Sequence, residues 1–271
     1  MSDLNLLVRR LQGEAAVLVK VVRTQGSTPR EEGAWMAVFE HDLLGTIGGG
    51  HLEYQAIAHA RSRLGSAEKS ADRRRFALGP GLGQCCGGVV ELGFEWLDAT
   101  KIEVIKRDLA TAQAPFALFG AGHVGHAMIR MLADLPFSVT WIDSRDEVFP
   151  ESVPANVSCE HSDPVQRAVT MLAPGAHVTI MSFSHAEDLE IVAACLLRQR
   201  ERADLASIGL IGSKTKWAIF RRRLGARGFS ERELSQIRCP IGLPGIVGKQ
   251  PAVVAVAVVA QLLLDTASSS A

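Results

Sequence analysis

Cys85 and Cys86 are adjacent in the glycine-dense run Gly79-Pro-Gly-Leu-Gly-Gln-Cys-Cys-Gly-Gly88. Neighbouring cysteines close a strained ring if they pair with each other, so a structural disulfide is a poor use for them. Their glycine neighbours bury no apolar surface and allow a ligand close to the backbone. Thiols held at such a turn suit a soft metal, a sulfur transfer or a redox step. The plain alternative is one buried thiol with an incidental neighbour.

A second cluster is Gly120-Ala-Gly122-His-Val-Gly125, which follows an apolar strand and opens an apolar-periodic helix. In this pattern Gly120 permits a tight turn, Gly122 lets the backbone approach a pyrophosphate, and Gly125 lets helix and strand pack closely. The helix-terminal N–H groups then face an anion. Asp143 ends the next strand, 23 residues after Gly120, where a ribose-binding carboxylate is expected. Its other reading is a cap or turn residue. With Asp143 as the acceptor a nicotinamide cofactor would carry a free 2′-hydroxyl, whereas Arg145 leaves a 2′-phosphate open. His123 borders the anion loop and His126 reads as an ordinary helix residue. After a later strand come Ser184 and His185. His185 with Glu187 and Asp188 forms a candidate acid–base or ligand set, equally readable as an N-cap followed by first-turn acids. Gly209-Leu-Ile-Gly212-Ser-Lys214 lacks P-loop spacing, but Ser213, Lys214 and the backbone could hold a phosphate. Cys239 is a candidate third thiol, while Cys159 and Cys195 read as packing residues.

These groups need elements to position them. Leu4, Leu7, Val8 and Leu11 predict an opening amphipathic helix, and residues 15–22, 35–39 and 89–96 read as strands. Gly45-Thr-Ile-Gly-Gly-Gly50 leads into a helix over 52–64. From residue 116 the pattern alternates. Strands are expected at 116–119, 139–142, 157–160, 177–183 and 205–211, and helices at 124–135, 164–172, 186–200, 214–224 and 251–264. That alternation predicts an α/β fold: a C-terminal Rossmann-like, doubly wound parallel sheet after a smaller N-terminal α+β domain. The expected division is an N-terminal domain at 1–98, a linker at 99–114 and a Rossmann-like domain at 115–271.

Over 271 residues, 29 basic side chains balance 29 acidic ones, so no global positive field exists to attract nucleic acid or an anionic membrane. Arg73 to Arg75 and Arg221 to Arg223 read as solvated helix faces. The five cysteines include no C-x-x-C pair and no zinc-type spacing. The N-terminus has no signal-peptide pattern, and the longest apolar run is shorter than the roughly 20 residues a membrane span requires. A reduced, cytoplasmic protein is expected.

Taken in order, several motifs resemble the XdhC/CoxI family, the xanthine dehydrogenase accessory proteins. They are Gly26-Ser-Thr-Pro-Arg30, Gly45-Thr-Ile-Gly-Gly-Gly50 with His51-Leu-Glu53, and Leu82-Gly-Gln-Cys-Cys-Gly-Gly88. Further on come Phe119-Gly-Ala-Gly-His-Val-Gly125, Asp143-Ser-Arg145, Ile208-Gly-Leu-Ile-Gly-Ser-Lys214 and Pro240-Ile-Gly-Leu243. One departure is the turn Ser182-Phe-Ser-His185, which keeps a single histidine where a histidine-rich turn is expected. The resemblance implies a chaperone, rather than an enzyme, for the molybdenum cofactor (molybdopterin). Such a protein would protect the cofactor, present it to a cysteine desulfurase for sulfuration and insert it into a xanthine dehydrogenase-type apoenzyme. On that basis Cys85 and Cys86 would hold the metal end. Gly120, Gly122, His123, Gly125, Asp143, His185, Ser213 and Lys214 would line the rest of the cofactor site, with Gly120 to Gly125 at the phosphate. The expectation is that both ends share one pocket, with a homodimer as a compatible assembly. Two other readings stand beside it: an NAD(P)-dependent oxidoreductase built on the Rossmann domain, and a thiol redox protein with a reversible Cys85–Cys86 disulfide.

Overall fold

The computed structural model describes residues 3–66, 69–79, 87–110 and 112–269. The chain divides into two units, Met1–Thr111 and Ala112–Ala271.

The first unit is built on a five-stranded antiparallel sheet in the order β3-β2-β1-β5-β4. Its strands are β1 Ala16–Gln25, β2 Trp35–Val38, β3 Leu43–Gly45, β4 Asp72–Ala77 and β5 Val89–Leu97. Successive side chains of a strand face opposite ways, and β1 uses both faces. Val17, Val19 and Val21 join Leu52, Ala56 and Ala60 of helix α2 (Gly50–Leu64) in one core layer. Ala16 and Leu18 join Leu7 of α1 (Asp3–Arg10) and Ile105 of α3 (Ile102–Asp108) in the other.

Arg73 to Arg75 correct an expectation. They lie on β4, an edge strand paired with β5, and not on a helix. A run of arginines carries no apolar alternation by which a strand could be recognised, and charged side chains are well suited to a sheet edge. The short β3 was also missed, because its pairing with β2 and not its own pattern makes it a strand.

The second unit carries a six-stranded, fully parallel sheet in the order β11-β10-β9-β6-β7-β8. The strands are β6 Ala114–Phe119, β7 Phe137–Asp143, β8 Val157–His161, β9 His177–Ile180, β10 Ser207–Leu210 and β11 Ile237–Arg238. Helices cover both faces, so the inner strands β6, β9 and β10 are largely buried, while the edge strand β8 is exposed beyond Val157. Phe116 and Leu118 pack with α4 (His123–Leu132) and α8 (Pro251–Ser269), whereas Ala117 and Phe119 pack with α5 (His185–Arg202) and α6 (Lys214–Ala226). Chain order reverses beside β6, whose neighbours are β7 and β9. Loops leaving the carboxyl ends of β6 and β9 therefore diverge and open a crevice, the usual ligand position in such sheets.

Two details differ from the sequence reading. The segment Val165–Met171 is a 3-10 helix in place of the expected α-helix. Cys159, expected to pack inside, is exposed on β8, the outer strand of the sheet, where one side is solvated. Cys195 is fully buried in α5 as expected. Among the described residues no helix is long and apolar enough to cross a membrane.

Candidate functional site

The glycine loop after β6 is shaped by contacts that exclude side chains. Gly120 has φ +118°, and a Cβ there would collide with the carbonyl oxygen of Met181, just past β9. A Cβ on Gly125 would collide with the Gly120 carbonyl. Gly122 is different, since a Cβ there would meet nothing within 4 Å. It is the N-cap of α4 and supplies no side chain to bond the helix's first N–H groups. Open space at Gly122 beside helix-terminal N–H groups that have no side-chain cap is a cradle suited to an oxygen anion. His123, exposed, stands at the first position of that helix.

Asp143 holds this loop in place. Its carboxylate is buried, with Oδ2 accepting from the Ala121 N–H at 2.6 Å. Arg145 closes over the same carboxylate. Its Nε donates to Oδ1 at 2.8 Å and its Nη2 to Oδ2 at 2.8 Å, while its backbone N–H donates to Oδ1 at 3.0 Å. Burial alone would raise the Asp143 pKa, but the Arg145 fork and the Ala121 and Arg145 N–H groups outweigh it and hold the carboxyl below its ordinary range. Trp141 Nε1 donates to the Gly120 carbonyl at 3.1 Å, and the Trp141 ring meets His126 edge-on.

The loops after β7 and β9, which flank β6, also meet each other. Ser144 Oγ donates to Glu187 Oε1 at 2.6 Å, and the Arg145 guanidinium lies 4.6 Å from the centre of the exposed Phe183 ring. The other Glu187 oxygen, Oε2, is buried with no hydrogen-bond partner among the described residues.

Farther along the crevice Asp188 and Lys216 form an ion pair at 2.6 Å, with side chains 3% and 10% exposed respectively. Asp188 Oδ1 accepts from the Ser182 N–H and hydroxyl, and Lys216 also donates to the Ile211 carbonyl. The pair therefore ties the β9 loop to α6. Sequence reasoning included Asp188 but missed Lys216, because nothing in the local pattern separates it from the exposed Lys214. Ser184 caps α5 and Ser213 caps α6, each through its hydroxyl, at 3.2 Å and 3.1 Å. His185 is exposed, with its ring edge towards Phe220. The Cys239 thiol lies beside Gly212 and Lys216. Burial, only partly offset by Lys216, pushes it up to about 11. At neutral pH it is a protonated packing group and a poor nucleophile.

Gly120, Gly122, His123, Gly125, Asp143, His185, Ser213 and Lys214 all lie on strand ends, loops or first helical turns at the carboxyl side of one parallel sheet. Cys85 and Cys86 lie outside the described residues. Their flanks are described: Leu78 N–H donates to the Gly88 carbonyl at 2.8 Å, continuing the β4–β5 ladder, and Gly88 packs against the backbone of Gly26 and Gln25. Gly26-Ser-Thr-Pro-Arg30 meets the second glycine cluster too, through Pro29 and Gly48. In that cluster Glu53 Oε2 accepts from Thr46 Oγ1, Ile47 N–H and Gly49 N–H. Among the described residues no group of three or more His, Cys, Asp or Glu side chains could hold a metal ion.

An uncapped glycine loop at the switch point of a parallel sheet, after a separate antiparallel α+β unit, defines a two-unit protein whose second unit is of Rossmann type. The family model described as the XdhC Rossmann domain matches residues 116–262, and the model of the XdhC and CoxI family matches residues 10–76. The chain belongs to the XdhC/CoxI family, a family of accessory proteins. The uncharacterized protein YqeB of Escherichia coli (strain K12) is 25% identical over 249 residues, covering 91% of this chain and 42% of its own length. This chain therefore spans less than half of that relative. A crystal structure of a Bacillus halodurans protein described as a xanthine dehydrogenase shares the fold, with a TM-score of 0.79 and 20% identity over 99% of this chain and 96% of that one.

Proposed function

We propose that this protein is a chaperone for the molybdenum cofactor. It binds the phosphate-bearing pterin, shields it during sulfuration by a cysteine desulfurase, and delivers it to a xanthine dehydrogenase-type apoenzyme. Family membership supports the cargo, and the observation that carries the reading is the open cradle at Gly122. The cofactor's phosphate end needs convergent N–H donors and a close backbone approach. Gly122, with no atom in the way of a Cβ and no side chain on the helix-terminal donors, offers both. His123, Ser213 and Lys214 supply further polar groups at helix starts on the same side. Cys85 and Cys86 would supply a soft thiolate to the metal end, which is chemistry suited to a molybdenum centre already bound by sulfur. The protein's task is then to bind, orient and exclude water, leaving the redox chemistry to the client enzyme.

The test is to purify the protein from a cofactor-replete host and assay molybdenum and pterin. Wild type should carry both in equal amounts, Gly122→Ala should carry less of both, and Cys85→Ala or Cys86→Ala should lose metal retention or transfer. A wild-type protein free of molybdenum and pterin would refute the proposal. Undiminished loading and transfer in both cysteine variants would remove the thiol role.

A further inference from the structure

The carboxylate expected to receive a dinucleotide's ribose has no free acceptor position in this structure. In a dinucleotide-binding Rossmann domain the acid at the end of the second strand bonds the ribose 2′-hydroxyl. Here that acid is Asp143, and its side chain is only 1% exposed. One oxygen accepts from Ala121 N–H and Arg145 Nη2, and the other from the Arg145 N–H and Nε. A forked, charge-assisted pair of this kind is among the stronger hydrogen-bonded contacts a protein makes. Two further contacts keep Arg145 in place. Its guanidinium rests on the Phe183 ring at 4.6 Å, and the Ser144–Glu187 hydrogen bond fastens the Arg145 loop to the first turn of α5, which follows Phe183. Both cross the end of β6, where the ribose and base of a dinucleotide would have to pass. The phosphate cradle at Gly122 is left open by the same arrangement.

We propose that Arg145 is a specificity-determining residue that fills the ribose seat of the crevice, so that the site takes a ligand ending in a phosphate ester and rejects one carrying a nucleotide ribose. The inference deepens the cofactor reading above and rests on it. The cargo is then the pterin phosphate without a nucleotide extension, and neither NAD nor NADP is a ligand. NADP is rejected with NAD on the same steric ground: Nε and Nη2 hold Asp143 and the guanidinium rests on Phe183, so the seat a 2′-phosphoribose would need is filled.

The full-length protein would be titrated by calorimetry with ADP-ribose and with 2′-phospho-ADP-ribose. Wild type should bind neither saturably at about 1 mM. Arg145→Ala and Arg145→Ser should each bind ADP-ribose at least about tenfold more tightly than wild type, the worth of one hydroxyl-to-carboxylate hydrogen bond. Adding Asp143→Asn should abolish the gain. Two substitutions guard against one of them failing to fold, and circular dichroism selects the folded protein. Wild-type affinity for either probe equal to that of the Arg145 variants, or no gain in any folded variant, overturns the proposal. In parallel, acid extracts of wild-type protein from a cofactor-replete host should contain pterin without stoichiometric nucleotide, and a nucleotide equal to the pterin also overturns it. Absence of all pterin would instead sink the cofactor reading, and the calorimetry would still decide the role of Arg145.

Discussion

Asp143 shows how one side chain can join loop geometry to selectivity. It anchors Ala121 within the glycine turn and is itself capped by Arg145, so the acid is spent on holding the turn. Because its pKa is lowered by folding, it contributes stability above the ordinary carboxylate value of 3.8, and that contribution is lost as pH falls through the lower folded value. The Arg145 fork is the largest of the favourable causes. The stability difference between wild type and Arg145→Ala, from urea titrations across pH, should therefore be constant near neutrality and shrink below pH 3.8. A difference that persists unchanged in acid would mean that Arg145 acts through packing on Phe183 alone. Asp188 and Lys216 are a pair of another kind. Their side chains are almost wholly enclosed, so removing either partner would strand a charge inside the protein.

The glycine loop as an element makes a sharper separation, because its glycines have different reasons to be glycine. Gly120 combines a positive φ with a wall formed by the Met181 carbonyl, so Gly120→Ala should destabilise the protein by more than about 2 kcal/mol. Gly122 has ordinary backbone angles and empty space before it, so Gly122→Ala should change stability by less than about 0.5 kcal/mol while reducing cofactor content. Thermal melts and pterin assays on the two variants check this, and a Gly122→Ala protein that is folded and fully loaded would remove the cradle from the mechanism. This element was legible before the structure, since strand, glycine spacing and helix fall within a short stretch of chain. Strand β4 was not. Its Asp72-Arg-Arg-Arg-Phe-Ala run has no alternation, and its conformation comes from pairing with β5.

At the scale of the molecule, the two units own separate cores. Phe94 lies fully buried among the β1, β5 and α2 side chains of the first unit, and Leu196 among those of α5 and its neighbours in the second. Phe94→Ala and Leu196→Ala should each cost about 2–5 kcal/mol. In the double variant the costs should add to within about 0.5 kcal/mol, because the residues share no partner. Denaturant titrations with fluorescence and circular dichroism measure the sum, and a strong deviation would show that the cores are not energetically separate. The amino-acid order alone determined the parallel α/β architecture, the glycine loop with its acid at the end of the next strand, and the family. These depend on periodicity, glycine spacing and motif order, all of which are local in the chain. Only the tertiary structure decided what Asp143 and Lys216 bond, that Gly122 is open where Gly120 and Gly125 are walled in, and that Arg145 and Phe183 meet across the end of β6. Arg145 is only two residues from Asp143, but Ala121 is 22 away, and Asp188 is 28 from Lys216, so most of these contacts arise where loops and helix starts from separate strands converge.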